Sequence, residues 1–253
     1  MSIIYGPVSS WRLGRSLGID LLSTKGKTCS FDCVYCQLGK TVHPFAERKQ
    51  FVTLRKLTAD LERANRIPAD YATFAGIGEP ALASNLGEAI VLVKSVLKLP
   101  VAVLTNSSLM TRTDVRRELS LADVVVAKLD APNEELFRQI NRPVVECTLD
   151  RIIQGIKLFR EEYPKKLALQ MMFISSNRGH ASEMAIIAEQ LSPDEVQINT
   201  PLRPCAIQPL GPDDIRSIQR EFFRVRRVVT VYEASIPEVV PLSVKETFRR
   251  RPE

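Results

Sequence analysis

Nothing in this chain of 253 residues is long and apolar enough to cross a bilayer. A spanning helix needs about 20 largely apolar residues, and the longest candidate, Ala89 to Leu99, is broken by Lys94 and Lys98. No membrane partner is therefore expected. Met1 to Tyr5 lacks the basic stretch followed by an apolar one that opens a secretory signal. Cysteine is sparse, with five in the whole chain. That argues against a disulfide framework and for a reducing, cytoplasmic setting. Repeats, low-complexity tracts and long linkers are missing too. Neither sign of charge dominates: 35 basic residues face 29 acidic ones, a net charge of +6. This leans toward polyanionic partners without requiring them. Apolar content of 45% and charged content of 25% are those of an ordinary globular protein and speak against disorder.

Three of the five cysteines crowd into Cys29-Ser30-Phe31-Asp32-Cys33-Val34-Tyr35-Cys36, spaced Cys-x3-Cys-x2-Cys. A loop of this length can turn three sulfurs toward one point. Soft thiolates suit iron–sulfur clusters or zinc, and the spacing alone leaves both open. As cluster ligands they would hold three corners of a cubane and leave the fourth iron free for another ligand. As zinc ligands they would be joined by His43 in a structural Cys3His site, and the protein would be a non-enzymatic RNA-binding module. Cys147, among Val144, Val145 and Leu149, reads as a packed thiol. Cys205 follows Arg203-Pro204 and is placed to reach the same region as the loop.

Strand and helix patterns alternate along the chain. Tyr5 to Asp20 opens with three glycines and a proline, which mark turns. Arg12 and Arg15 within it are expected to pair with surface acids, with an anion site as the alternative. Leu17–Leu22 reads as a first strand, Leu57–Arg66 as a helix, and Tyr71–Ala75 as a buried strand. The last runs into Gly76-Ile-Gly-Glu-Pro80, a turn with backbone groups free to bind. Then come helix Gly87–Leu99, strand Val101–Leu104, helix Thr113–Leu119, strand Asp123–Leu129, helix Leu149–Glu162, strand Lys166–Ile174, helix Ala181–Leu191 and strand Glu195–Asn199. A helix over Asp213–Val225 and a strand over Val228–Glu233 complete the pattern. Alternation of this kind implies a parallel sheet with right-handed crossovers. Ligand sites in such folds lie at the carboxyl ends of strands. The cysteine loop, Gly76–Pro80, Asn106, Asp130, Asn177 and Asn199 all follow strand ends and are expected to meet at one mouth. The closing Arg249-Arg250-Arg251 reads as solvated surface, or alternatively as a polyanion contact.

The paired motifs, the cysteine loop and a second-strand Gly-x-Gly-Glu-Pro, resemble those of the radical SAM superfamily. Tyr5-Gly-Pro-Val, Arg12-Leu-Gly-Arg-Ser-Leu-Gly-Ile-Asp20, Cys33-Val-Tyr-Cys-Gln-Leu-Gly39, Leu129-Asp-Ala-Pro132 and Gln197-Ile-Asn-Thr-Pro-Leu-Arg-Pro204 further resemble the group that includes the wyosine tRNA synthases. The resemblance implies an α/β fold, a partial (β/α)6 barrel, in one domain over 1–253. Its core would run from about 17 to 200, with an extension over about 201–253. It implies a [4Fe–4S] cluster on Cys29, Cys33 and Cys36, and S-adenosylmethionine as co-substrate. The activity implied is reductive cleavage to methionine and a 5′-deoxyadenosyl radical, which takes a hydrogen atom from a substrate carbon. An electron donor of flavodoxin or ferredoxin type would serve it. Tyr35 would lie near the adenine, and Gly76 and Gly78 would admit the methionine end. Glu79 would order that turn, and Asn106 and Ser107 would serve the ribose or carboxylate. Asp130 would serve the ribose hydroxyls or the substrate, with Gln170, Asn177 and Asn199 as further candidates. Two departures stand out. Met1 to Thr28 lacks the upstream cysteines of a second cluster, and Lys128 occupies the place of an expected serine. The implied substrate is a polyanion such as tRNA, with a protein or peptide as the alternative.

Overall fold

The computed structural model describes residues 2–252; Met1 and Glu253, the two ends of the expected domain, lie outside the described residues. Strand β1 (Ile4–Ser10) and strand β2 (Gly14–Ile19) open the chain as an antiparallel pair. A two-residue ribbon follows, β3 (Thr28–Cys29) beside β4 (His43–Pro44). After it, helices and strands alternate: α1 (Leu54–Ala64), β5 (Tyr71–Phe74), α2 (Leu86–Leu97), β6 (Val101–Thr105), α3 (Thr113–Leu119), β7 (Val124–Lys128), α4 (Glu134–Ile140) and α5 (Leu149–Glu162). The last elements are β8 (Lys166–Met172), α6 (Ala181–Leu191), β9 (Glu195–Asn199), α7 (Pro212–Glu221), β10 (Val228–Thr230) and α8 (Val244–Arg250). The large sheet runs β1-β2-β5-β6-β7-β8-β9-β10, parallel from β2 onward. The six expected strands are β2 and β5 to β9, and they form the curled half-barrel; β1 and β10 extend it at its edges.

The two faces of the sheet differ in chemistry. Side chains alternate along a strand, so Leu17, Ile19, Ala72, Phe74, Val103, Val125, Leu169 and Ile198 turn outward into the core under the helices. Leu13, Ala102, Val124, Val126 and Ala168 form a second, smaller apolar cluster on the inner face. Helix starts follow local capping. Thr53 accepts from the Lys56 amide, Asn133 from Leu136 and Thr148 from Arg151, each satisfying a donor that has no partner within its helix. The Thr53 cap starts α1 three residues before its expected beginning. A left-handed Lys98 stops α2 at Leu97.

Three expectations fail at the termini and in one loop. The opening glycines and proline do not exclude a strand. Gly6-Pro7 falls where the β1–β2 register shifts, a place where a residue without an amide hydrogen is tolerated. Helix α4 escapes a search based on periodicity because it is only seven residues long. The arginine tail is not uniformly solvated surface, since its middle residue is buried. Arg250 is 1% exposed. Its Nε donates to Asp20 Oδ2 at 2.8 Å, Nη1 to Glu246 Oε2 at 2.6 Å and Nη2 to the Ser2 carbonyl at 2.8 Å. Burial alone would lower its pKa, but Asp20 and Glu246 hold it above its ordinary value.

Removing one partner of a buried pair leaves the other charge uncompensated. Arg250→Leu is therefore expected to destabilise the chain by roughly 3–5 kcal/mol. Urea denaturation is the measurement; a loss below about 1 kcal/mol, the range of exposed pairs, would show that the pair is not structural.

Candidate active site

The cysteine loop is clamped from two sides. On one side it meets the turn after β5. The Thr28 amide donates to the Ile77 carbonyl at 3.0 Å, and the Glu79 amide to the Thr28 carbonyl at 3.2 Å. Gly78 sits at φ +151°, and a Cβ built there would stand 1.7 Å from the Thr28 carbonyl oxygen. No side chain fits so close a backbone approach. Gly76, at φ +156°, would place a Cβ 2.4 Å from Asp20 Cγ. On the other side runs the segment 140–144. The Asp32 amide donates to the Arg142 carbonyl, Val34 to Ile140 and Val144 to Ser30, each at 2.9 Å.

Glu79 is tied into the turn and the end of β6. The carboxylate is 2% exposed. It accepts from the Ala81 amide (3.0 Å), the Thr105 hydroxyl (2.7 Å) and the Asn106 amide (2.6 Å). Burial raises its pKa while these three donors pull it down; the net direction is upward.

The sulfurs have polar neighbours that the sequence did not announce. Asn106 Nδ2 lies 3.5 Å from Cys29 Sγ and 2.8 Å from Ser30 Oγ. Asn141 Nδ2 lies 3.6 Å from Cys33 Sγ. Lys27, with 3% of its side chain exposed, reaches Asp32 Oδ1 at 3.6 Å and donates to the Gly39 carbonyl at 3.2 Å. Burial alone would lower its pKa, but the sulfurs of Cys36, Cys29 and Cys33 together raise it. Burial pushes the free Cys29 thiol up to about 12, helped by Cys33 and Glu79, and moves Cys33 up as well. Binding a metal group requires these protons to leave.

This donor set fits an iron–sulfur cluster. Three thiols share one loop, amide N–H groups approach two sulfurs, and a buried cation offsets their negative charge; such contacts tune cluster sites. The zinc reading is not favoured. His43 is exposed on β4. Among the described residues, no three His, Cys, Asp or Glu side chains gather closely enough for a single metal ion. A cubane, whose corners stand further apart than the donors of one ion, does not require that closure.

Several expected ligand contacts are occupied within the protein. Tyr35 Oη donates to Asp130 Oδ2. Asn141 Nδ2 reaches the same oxygen at 2.7 Å, and the Met172 amide donates to Asp130 Oδ1 at 2.9 Å. Asp130 is 2% exposed, so its carboxylate holds Tyr35 and the segment 140–144 in place instead of facing a ribose. Burial first, then Asp130, drives the Tyr35 phenol well above its ordinary pKa. Ser107, 1% exposed, spends its hydroxyl on the backbone of Lys128, donating to its carbonyl and accepting from its amide. Asn177, fully buried, bonds the Asp130 and Met172 carbonyls and the Ile174 amide. It is a satisfied core amide. Asn199 accepts from the Thr200 amide, while Gln170 lies on the inner face of β8. Lys128 stands with Nζ 4.4 Å from the Tyr35 ring centre, bringing a cation to the mouth. Cys147 is buried, its thiol pushed up to about 11 mainly by burial. The Cys205 thiol closes a local turn with Ile207.

Known proteins resemble this arrangement at two levels. The family model of the radical SAM superfamily matches residues 24–185. The UPF0026 protein MJ1312 of Methanocaldococcus jannaschii is 37% identical over 87% of this chain and 70% of its own length. The UPF0026 protein slr1464 of Synechocystis is 39% identical over 81% of this chain and 77% of its own. Among solved structures, SuiB of Streptococcus suis bound to S-adenosylmethionine superposes with a TM-score of 0.65 at 15% identity. That match covers 86% of this chain and 50% of SuiB. AnSMEcpe with bound AdoMet gives a TM-score of 0.65 at 16% identity, over 86% of this chain and 64% of that one. At these identities the likeness is one of fold, and the chain spans about half of SuiB.

Two expected outcomes follow from the clamp. Cys36→Ala abolishes iron and sulfide retention after anaerobic reconstitution, with the far-ultraviolet circular dichroism unchanged, whereas His43→Ala retains both. Zinc in near-unit stoichiometry, lost on His43 replacement, would overturn the assignment. Gly78→Val is not expected to impair S-adenosylmethionine binding alone, because the new side chain collides with the backbone next to Cys29. Both cluster content and cofactor affinity should fall, which iron analysis and calorimetry on the same preparation would test.

Proposed function

The chain belongs to the radical SAM superfamily and to the UPF0026 proteins, and from that premise we propose that it cleaves S-adenosylmethionine reductively, on a [4Fe–4S] cluster held by Cys29, Cys33 and Cys36, to remove a hydrogen atom from a tRNA substrate. The observation that carries this reading is the three-thiol loop clamped between Gly76–Pro80 and the segment 140–144, with amide donors at two of its sulfurs. When bound, the cluster would supply one electron to the sulfonium and an open iron for the methionine amine and carboxylate.

The protein's own part is to bind, orient and shield. The turn at Gly76–Pro80 brings backbone groups to the strand end for the methionine amine. Glu79 keeps that turn rigid through its three donors. The bond between Tyr35 and Asp130 fixes the aromatic ring beside the last cysteine. Lys128, above that ring, offers a cation to a carboxylate at the mouth. Asn106 and Asn141 donate toward Cys29 and Cys33, which stabilises negative charge on the sulfurs. A flavodoxin or ferredoxin would deliver the electron.

The substrate reading rests on the net charge of +6, on the resemblance to the group that includes the wyosine tRNA synthases, and on the Lys128 cation at the mouth. Phosphate contacts release counterions, so affinity falls steeply with salt. Anaerobic protein with S-adenosylmethionine, a reductant and bulk tRNA is expected to form methionine and 5′-deoxyadenosine. tRNA should stimulate this, with binding that weakens as salt rises. Absence of 5′-deoxyadenosine under every condition would sink the enzymatic reading. Stimulation by a peptide fraction, with no tRNA binding at low salt, would replace the substrate.

A further inference from the structure

S-adenosylmethionine and a substrate are expected at the mouth, so a protein that delivers the electron must approach the cysteine loop from elsewhere. The strip 39–45 lies along the other side of that loop and is bonded to it throughout. The Gly39 amide donates to the Cys36 carbonyl at 3.0 Å. The Thr41 amide donates to Asp32 Oδ1 at 2.6 Å, and its hydroxyl to the Phe31 carbonyl at 2.7 Å. The Val42 and His43 amides both donate to the Lys27 carbonyl at 3.0 Å, and the Phe45 amide to the Cys29 carbonyl at 3.2 Å. Two of the three sulfur-bearing residues, Cys29 and Cys36, are therefore one backbone hydrogen bond away from this strip.

The strip is also exposed. Gly39, Lys40, Val42, His43 and Pro44 face solvent. Val42 is 61% exposed although it is apolar. It sits over Gly26, where a built Cβ would stand 2.8 Å from Val42 Cβ. Exposed Lys25 precedes that glycine, and Lys40 stands two positions before Val42. An apolar side chain thus has a lysine on either flank. Lysines on a loop are usually no more than a solvated surface. Here the balance of charge is one-sided. Lys49 adds a cation, held 4.4 Å from the Phe45 ring centre and 4.9 Å from that of Phe51. Glu47 is the exposed acid of the same loop. Asp32 beneath it is already met by Lys27 at 3.6 Å and by the Thr41 amide.

We propose that the exposed strip 39–45, with Val42 at its centre and Lys25 and Lys40 beside it, is the docking face for a small acidic one-electron carrier protein. This deepens the function proposed above and rests on it for the need of an electron. The occupant follows from charge complementarity: a basic face draws an acidic partner and speeds the encounter. Redox encounters are small, burying less than about 1,200 Å² in total, so a strip of a few residues around one apolar side chain is enough. The carrier is oxidised by one electron and the cluster reduced by one; no bond forms or breaks and no proton moves. A carrier seated on Val42 has the backbones of Cys29 and Cys36 directly beneath it and leaves the mouth free for S-adenosylmethionine and substrate.

The test uses the full chain, anaerobically reconstituted and mixed with an acidic flavodoxin in its hydroquinone form and, separately, with a reduced acidic ferredoxin. Loss of the carrier's reduced absorbance in a stopped-flow instrument gives the rate. Dithionite, a reductant too small to need a docking face, serves as the reference. Expected is a rate that saturates with at least one carrier. The variant carrying both Lys25→Glu and Lys40→Glu should be reduced by that carrier about tenfold more slowly at low salt, within the range of electrostatic steering. The difference should close as salt rises, because exposed charges are screened. Its iron content and its rate with dithionite should match the wild type, and Lys157→Glu, exposed on α5, should change nothing. Reduction of the double variant as fast as the wild type, no saturable reduction by either carrier, or an equal slowing with dithionite would overturn the docking face. So would weaker tRNA binding in the double variant with carrier reduction untouched, which would assign the strip to nucleic acid. Formation of 5′-deoxyadenosine by wild-type protein with dithionite is measured alongside. Its absence would strike the enzymatic reading and leave the docking result standing.

Discussion

The site depends on one close backbone approach, that of Gly78 to Thr28. A carbonyl oxygen occupies the space where any side chain at position 78 would begin. Because the two backbones touch, the turn after β5 and the first cysteine of the loop behave as one piece. The hydrogen bonds Thr28 to Ile77 and Glu79 to Thr28 lock the register of that contact. Glu79 then carries the constraint onward to Thr105 and Asn106 at the end of β6. Asn106 in turn faces Cys29. Two strand ends and the three-thiol loop are thus coupled through Gly78, Glu79 and Asn106.

A second constraint closes the region from the far end of the chain. Asp20 ends the approach from β2. Its Oδ1 accepts from the Leu22 and Ser23 amides, and its Oδ2 from Arg250. The same carboxylate packs against Gly76. The carboxyl-terminal helix is therefore fastened beneath the mouth by an ion pair inaccessible to water. Tyr35, Asp130 and Asn141 form a third buried network. Its donors all find partners, while Asn141 Oδ1 is buried without one among the described residues, so the network rigidifies the site at some cost. The charges of Asp20, Glu79 and Asp130 are each met by donors and serve the structure.

The order of helices and strands was legible from periodicity, because a parallel sheet covered by helices buries whole strands and one stripe of each helix. Helices over Thr113–Leu119, Leu149–Glu162 and Ala181–Leu191 agree with the pattern to the residue. The three-thiol loop and the two-glycine turn were legible too, since both are local: their spacing determines which atoms can meet. The clustering of strand ends at one mouth followed from topology alone. Strand β1 and helices α4 and α8 were not legible, being short or carrying proline and glycine that only a tertiary partner excuses.

The sequence by itself determined the family chemistry and the half-barrel, because both rest on contacts between near neighbours and on a repeating hydrophobic period. Which polar side chains are spent on structure and which remain for ligands was decided only by tertiary structure. Arg250 reads as one of three surface arginines until Asp20, 230 positions away, is seen to bury it. Asp130 and Ser107 read as ligand groups until Tyr35, Asn141 and Lys128 are found holding them. Arg12 and Arg15 are indistinguishable until one meets the Trp11 ring and the other meets Asp70. The reason is physical. A polar group's fate depends on its partners and its exposure, and both are set by residues remote in the chain that no local pattern encodes.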